Sequence, residues 1–345
     1  MSKIKVFLGG YINYTNAQNL NCRAISEYLD KDKFVVFALT THFGKNECFK
    51  ANTFNCLKPF SFSKHLGFLW GILNCDVAYL PKHIDTPLWL LKLAKILKKP
   101  IFTTIEGNVT DLSKPNLISL FGSEHKMINH FSYFKQVFCI SHFLIQETKS
   151  VIIINDTPLS LGVNVHQFSS KIAQKLKSIV FVGGCIKRKR LDEFLQLAEL
   201  YSQITFNIIG NGSEKDNLEI KASSNVVFHG ALSHAKINEI FQQSDLMFLP
   251  AKSEGFPKVI LESASAGIPS IVYSTYGASN WMKHRENGFI VNDFDEVRGV
   301  VNELLNNSKL LQSISKNTKD LANAYNWKNL IKDWEKVIVK LYNEK

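Results

Sequence analysis

The chain has 345 residues, 45% of them hydrophobic, and carries 41 Lys/Arg against 30 Asp/Glu, a net charge of +11. That length and apolar content suit a globular protein of two domains. No run approaches the ~20 consecutive apolar residues that a membrane-spanning helix needs.

The first apolar run, Ile4 to Leu8, is followed by Gly9-Gly10 and is expected as a strand and a glycine turn. It is too short for the apolar stretch of a secretory signal. Further strands are expected near 34–40, 76–80, 101–105, 137–141 and 151–154. They alternate with helical stretches, the pattern of an α/β protein with parallel sheets. Phe60 to Leu73 is aromatic and apolar with Lys64 and His65, and Pro87 to Lys99 sets four lysines on an apolar body. Both compositions suit an anionic membrane surface. An ordinary crossover helix with a basic last turn, which complements its dipole, explains the second equally well. The polar, lysine-rich stretch 166–176 is expected to connect the domains, giving 1–165 and 166–324. Beyond it, strands are expected near 179–183, 204–209, 226–229, 246–249, 270–273 and 289–291. The tail 325–345 is expected as one amphipathic helix, with Trp327, Leu330, Trp334, Val337, Ile338 and Leu341 near a 3.6-residue period.

Charge is shared unevenly: residues 1–165 hold 18 Lys/Arg against 11 Asp/Glu, the remainder 23 against 19. A basic balance attracts nucleic acid, anionic lipid or anionic substrates. No zinc finger, aromatic RNA-binding strand or arginine cluster accompanies it, so no nucleic-acid partner is expected. The six cysteines (Cys22, Cys48, Cys56, Cys75, Cys139, Cys185) form no Cys-x-x-Cys pair and no metal-ligand spacing with histidine. Free thiols and a cytoplasmic location are expected. His125, His130 and His142 are expected at the surface or at helix caps. Asp30-Lys31-Asp32 and Asp293-Phe294-Asp295 have the form of a metal chelator, but read as a helix–strand turn and a helix start. Neither a metal nor a cofactor is expected.

The most informative stretch is Ser253-Glu254-Gly255-Phe256-Pro257-Lys258-Val259-Ile260-Leu261-Glu262. It follows a buried apolar strand, and Pro257 suits the first turn of a helix that Gly267 would end. Glu254 then lies in the loop and Glu262 roughly 7 Å along the helix axis, at ~1.5 Å per residue. Helix N-terminal amides between two carboxylates can seat a diphosphate, with one carboxylate for sugar hydroxyls on each side.

This motif resembles the two-glutamate signature of retaining glycosyltransferases of GT-B architecture, the large bacterial family of mannosyl-, glucosyl- and N-acetylglucosaminyltransferases. Ile179 to Gly184 with Lys189 and Asp192 resembles the family's first donor-domain strand and loop. Phe206 to Gly212, Val226 to Gly230 and Glu286 to Val291 resemble later ones, and Leu161 to Phe168 the close of the first domain. The likeness is strong over about 155–330 and weak before it.

The resemblance implies two Rossmann-like domains with parallel sheets facing a central cleft, and a last helix crossing back to the first. A hexose would pass from a nucleoside-diphosphate sugar to a hydroxyl acceptor, with retention and without metal, in polysaccharide or glycolipid assembly. The acceptor could be a lipid-linked sugar, and the protein could sit peripherally on the inner, anionic face of the membrane. Glu254 would hold the donor sugar, Glu262 the ribose, and Lys189 the departing diphosphate. Gly10, Gly184, Gly210, His229, Gly255, Phe256, Lys258 and Val259 would complete the donor site. Two positions depart from the family: Gly184 stands where an arginine is usual, and Glu106 where a histidine is frequent. A nucleotide-sugar epimerase on the same fold and a non-catalytic nucleotide-sugar-binding protein are the alternatives.

Overall fold

The computed structural model describes residues 2–45, 47–110 and 116–344, and among them two six-stranded sheets form, one in each of two compact units. The first unit is Met1–Gly162 with Trp327–Lys345, and the second is Val163–Asn326.

In the first unit β1 (Ile4–Tyr11), β2 (Phe34–Thr41), β3 (Asn52–Cys56), β4 (Val77–Tyr79), β5 (Ile101–Ile105) and β6 (Gln136–Cys139) pair in parallel, in the order β3-β2-β1-β4-β5-β6. Its helices are α1 (Ala17–Tyr28), α2 (Phe60–Asn74), α3 (Leu88–Ile96), α4 (Leu117–Phe121), α5 (Glu124–Phe131) and α6 (His142–Thr148). A parallel sheet covered on both faces needs continuous apolar strands. Val6, Phe7 and Leu8 of β1 and Val77, Ala78 and Tyr79 of β4 are accordingly buried outright.

Three expectations are corrected here. Gly9 and Gly10 lie within β1, not in a turn. A Cβ on Gly9 would stand 2.7 Å from Leu80 Cδ2, and one on Gly10 2.7 Å from Cys22 Sγ, so the glycines serve close packing. The strand β3 was not foreseen, because Asn52-Thr53-Phe54-Asn55-Cys56 is polar and mostly exposed, as an edge strand tolerates. Residues 151–154 form no strand. The Val151 and Ile152 amides return to the Thr148 carbonyl at 3.0 and 3.1 Å, which spends the segment on the exit turn of α6.

The second unit pairs β7 (Ser178–Val182), β8 (Thr205–Ile209), β9 (Val226–Gly230), β10 (Leu246–Leu249), β11 (Ser270–Tyr273) and β12 (Phe289–Val291), in the order β12-β11-β10-β7-β8-β9. Around it lie α7 (Leu191–Leu200), α8 (Lys215–Lys221), α9 (His234–Gln243), α10 (Lys258–Ser265), α11 (Phe294–Asn306) and α12 (Ser308–Ala324). Numbered from the first strand of each unit, both sheets have the same order. Its centre, β1/β4 or β7/β10, is the switch point, where open parallel sheets bind ligands beyond their carboxyl ends.

The tail is not one helix from residue 325. Tyr325 and Asn326 belong to the second unit, and α13 (Trp327–Asn343) begins after them and packs in the first. Its buried face is Trp327, Ile331, Trp334, Ile338 and Leu341. The Trp334 ring stands 5.0 Å from Tyr79, and its Nε1 donates to the Ser160 carbonyl at 3.1 Å. Among the described residues no helix is long and apolar enough to cross a membrane. Both Asp-x-Asp tripeptides have local partners: Asp293 caps α11, and Asp30 accepts from the Asp32 amide and pairs with Lys33.

His125 and His142 are exposed, but His130 is not at the surface; it is 5% exposed. It sits among Phe121, Phe131, Phe134 and His83, its ring 5.8 Å from that of His83. Sequence spacing could not show this, because α4, α5 and the β4 exit are brought together only by the fold. Burial holds both rings neutral, lowering His83 to about 3 and His130 to about 4. Histidine in the unfolded chain titrates near 6.5. The neutral rings therefore cost nothing above that pH, and stability is lost as pH falls from there towards 4. The loss at pH 5 should be about 2 kcal/mol per histidine. Thermal unfolding at pH 7 and 5 checks this: His130→Phe should lose less between the two than the parent, and an equal loss would refute the account.

Candidate functional site

The residues of interest in the second unit come from the loops that leave β7 and β10, the strands flanking its switch point. After β10 the loop is pinned at both ends. The Lys252 amide donates to the Arg188 carbonyl at 3.0 Å, while the Phe256 ring packs 5.3 Å from Trp281 and 5.1 Å from Tyr325. Helix α10 then opens with Pro257 at its cap, a residue whose own side chain makes no capping hydrogen bond. Lys258 and Val259 are its first two residues and Glu262 its fifth. Gly267 ends the turn at φ +78°, as its position after the helix implies.

After β7 the chain passes Gly183-Gly184 into a short 3-10 turn, Lys187–Lys189. This turn delivers two cations to one carboxylate oxygen. Lys189 Nζ lies 2.5 Å from Glu254 Oε1, and Arg188 Nη1 lies 3.0 Å from the same atom while also donating to the Ser253 carbonyl. All three side chains are largely buried, Lys189 and Glu254 at 11% and 12% exposure and Arg188 at 31%. Buried charges persist when paired and hydrogen-bonded, as here.

The other basic neighbours are elsewhere. Lys187 is exposed. Arg190, at φ 51°, pairs with Glu193 and lies 5.1 Å over the Tyr273 ring. Arg188 is thus turned towards Glu254 beside Lys189, and the αL residue Arg190 closes the turn.

The glycines hold the loops together. A Cβ on Gly210 would fall 1.8 Å from the Gly183 carbonyl oxygen, and one on Gly212 2.2 Å from that of Cys185. The Cys185 amide donates to the Asn211 carbonyl at 3.0 Å. At Gly184 a Cβ would meet nothing nearer than the Asn211 oxygen at 3.7 Å, so that position is open. His229 is turned into the sheet, its Nε2 2.8 Å from Asn207 Oδ1, and Asn207 in turn bonds Ser178 Oγ. Partial burial lowers its pKa.

Two neighbours escaped the sequence reading. His234, the first residue of α9, places Nε2 3.6 Å from Glu262 Oε1. Tyr276 is 2% exposed, and its hydroxyl has no hydrogen-bond partner. Burial raises its pKa well above the usual phenol range, and the nearby Glu254 charge adds to that. No local pattern marks either residue; only a count of polar groups facing the two glutamates finds them.

In the first unit, Gly10 packs against α1, and Glu106 follows β5. The Glu106 carboxylate lies 3.3 Å from Thr104 Oγ1 and 3.4 Å from Asn21 Nδ2. Thr104 Oγ1 also meets the Tyr79 hydroxyl at 2.6 Å.

Residues 163–321 match the family model of the glycosyl transferases group 1. An uncharacterised glycosyltransferase of Haemophilus influenzae is 26% identical over 172 residues, 47% of this chain and 49% of that protein. The α-galactosylglucosyldiacylglycerol synthase of Streptococcus pneumoniae is 27% identical over 45% of this chain and 44% of its own length. The chain thus spans about half the length of the curated relatives it matches. Among solved structures, the sucrose-phosphate synthase of Thermosynechococcus elongatus superposes with a TM-score of 0.82 at 14% identity, over 99% of this chain and 100% of that one. HepE of Anabaena, solved with UDP and glucose, gives 0.77 at 14% identity over 98% and 100%. The architecture is that of the GT-B fold, and within the second unit residues 163–321 match the glycosyl transferases group 1.

Proposed function

We propose that the chain is a retaining glycosyltransferase that moves a hexose from a nucleoside-diphosphate sugar to a hydroxyl acceptor. The observation that carries this reading is the convergence of Lys189 and Arg188 on Glu254, at the head of α10. Cations and a helix N-terminus at one carboxylate suit a diphosphate that gains charge as its sugar leaves. Glu254 would accept from hydroxyls of the donor sugar, and Glu262, beside His234, from the ribose. The bond from the anomeric carbon to phosphate oxygen breaks, the bond to the acceptor oxygen forms on the same face, and the departing diphosphate takes the acceptor proton. Basic side chains and amides would do this without a divalent ion.

The second unit would hold the donor, which Gly10 at the end of β1 would also reach, and the first the acceptor, with Glu106 beyond β5 on that side. The relatives' roles favour surface polysaccharide or glycolipid assembly, hence a lipid-linked acceptor at the inner membrane face. HepE's complex with UDP and glucose makes UDP-hexoses the first donors to try.

The test is turnover of UDP-, GDP- and ADP-hexoses in EDTA, with and without a hydroxyl acceptor. Product should need acceptor and keep the donor's anomeric configuration. Glu254→Gln should abolish turnover while leaving the fold intact. Glu262→Ala should instead weaken nucleotide binding about ten- to a hundredfold, the scale of charge-assisted hydrogen bonds. Epimer formed without acceptor would assign an epimerase, and binding without turnover a sugar-nucleotide receptor. Unchanged turnover in Glu254→Gln would refute the site.

A further inference from the structure

We propose that the outer face of α2 and α3 is a docking surface for an anionic lipid bilayer. Helix α2 buries Gly67, Phe68, Gly71 and Ile72 against its sheet. Its opposite side is apolar as well. Phe62, Leu66, Leu69 and Leu73, spaced four, three and four residues apart, form one stripe, with Phe62 63%, Leu66 42% and Leu73 55% exposed. A helix apolar on all sides is otherwise one that is buried or in lipid. Helix α3 lies beside it, with the His65 and Trp89 rings 6.4 Å apart. It adds Leu88, Trp89 and Ile96 at 37%, 45% and 76% exposure.

Charge decides the occupant. No Asp or Glu occurs from 57 to 75 or from 86 to 105, whereas Lys58, Lys92, Lys95 and Lys98 are exposed. Lys92 falls between Leu88 and Ile96 at four-residue spacing, so cation and apolar stripe share a face. Asp85, just before α3, is paired with Lys64 of α2 at 3.2 Å and with Lys82 at 3.8 Å, so the rim stays net basic. Apolar anchors that include a tryptophan, rimmed by lysine in excess of acid, match the headgroup boundary of an anionic leaflet. A second copy of the chain would set lysine against lysine across a two-fold axis, which like charges oppose. The inference deepens the reading of a lipid-linked acceptor and rests on it only for its purpose, since lipid binding is measured without turnover.

The experiment is co-sedimentation of the full chain with phosphatidylcholine vesicles, with and without phosphatidylglycerol, over a range of salt. Binding should require phosphatidylglycerol and weaken with salt. Lys58→Gln and Lys92→Gln should each lower it about fivefold. The triple variant Phe62→Ser, Leu66→Ser, Trp89→Ser should abolish it, while retaining the thermal shift that a nucleotide gives the parent. Binding that ignores lipid charge and salt would overturn the proposal. So would a dimer in sedimentation velocity that the triple variant dissociates, which would assign the face to a second copy. The parent's own salt titration keeps the test open should the triple variant misfold.

Discussion

Lys189→Ala is expected to slow sugar transfer by ~30- to 1,000-fold, seen in kcat more than in KM, because a charge-assisted contact to a developing dianion contributes ~2–4 kcal/mol. Arg188→Ala should fall in the same range, since its guanidinium reaches the same Glu254 oxygen at 3.0 Å. The family's usual arginine is missing at Gly184, yet the position is open, with no atom nearer than 3.7 Å to a Cβ there. Arg188 supplies a cation from four residues further along. Glu254 carries one negative charge against these two cations, so the cluster keeps a net positive charge to offer a diphosphate. Residues sharing one partner are not independent, and the double variant should lose less than the product of the single effects. Lys187→Ala should be nearly silent because the side chain is exposed. Arg190→Ala should lower stability rather than rate, through its contacts to Glu193 and the Tyr273 ring. A silent Lys189→Ala would remove the diphosphate from this turn.

Gly210→Ala is expected to destabilise the second unit by about 3 kcal/mol or more, read as a lowered thermal midpoint with lost nucleotide binding. The residue sits at φ +142°, where side chains are strained, and its Cβ would overlap the Gly183 carbonyl oxygen at 1.8 Å. That oxygen is backbone and cannot rotate away. The loop carrying Lys189 would have to shift, so activity should fall along with stability. Gly184→Ala is the control: its Cβ meets only ordinary contacts, and the variant should fold as the parent does. Equal stability of the Gly210 and Gly184 variants would show that these loops are not closely packed.

Most strands that sequence reading found are buried on both faces, such as β7 and β10, where four apolar residues run together. It missed β3, whose polar edge residues carry no such run, and placed a strand at 151–154, where β-branched residues serve a turn. The Glu254/Glu262 motif was legible because a strand exit, a capping proline and a helix start are neighbours in the chain. Its surroundings were not. Arg188 and Lys189 meet Glu254 across about 65 positions, and nothing local distinguishes them from Lys187 and Arg190.

Sequence alone therefore determined the kinds of elements, their alternation, and the two-glutamate loop with its family resemblance, since periodicity, glycines and prolines act within a few residues of themselves. Tertiary structure alone decided which two of four adjacent basic residues meet Glu254, that His234 approaches Glu262, and that Tyr276 leaves a buried hydroxyl unpaired near Glu254. It also decided that α2 and α3 lie together with their apolar sides outward. These are outcomes of strand order and loop closure, which bring distant residues within a few ångströms and which no local pattern encodes.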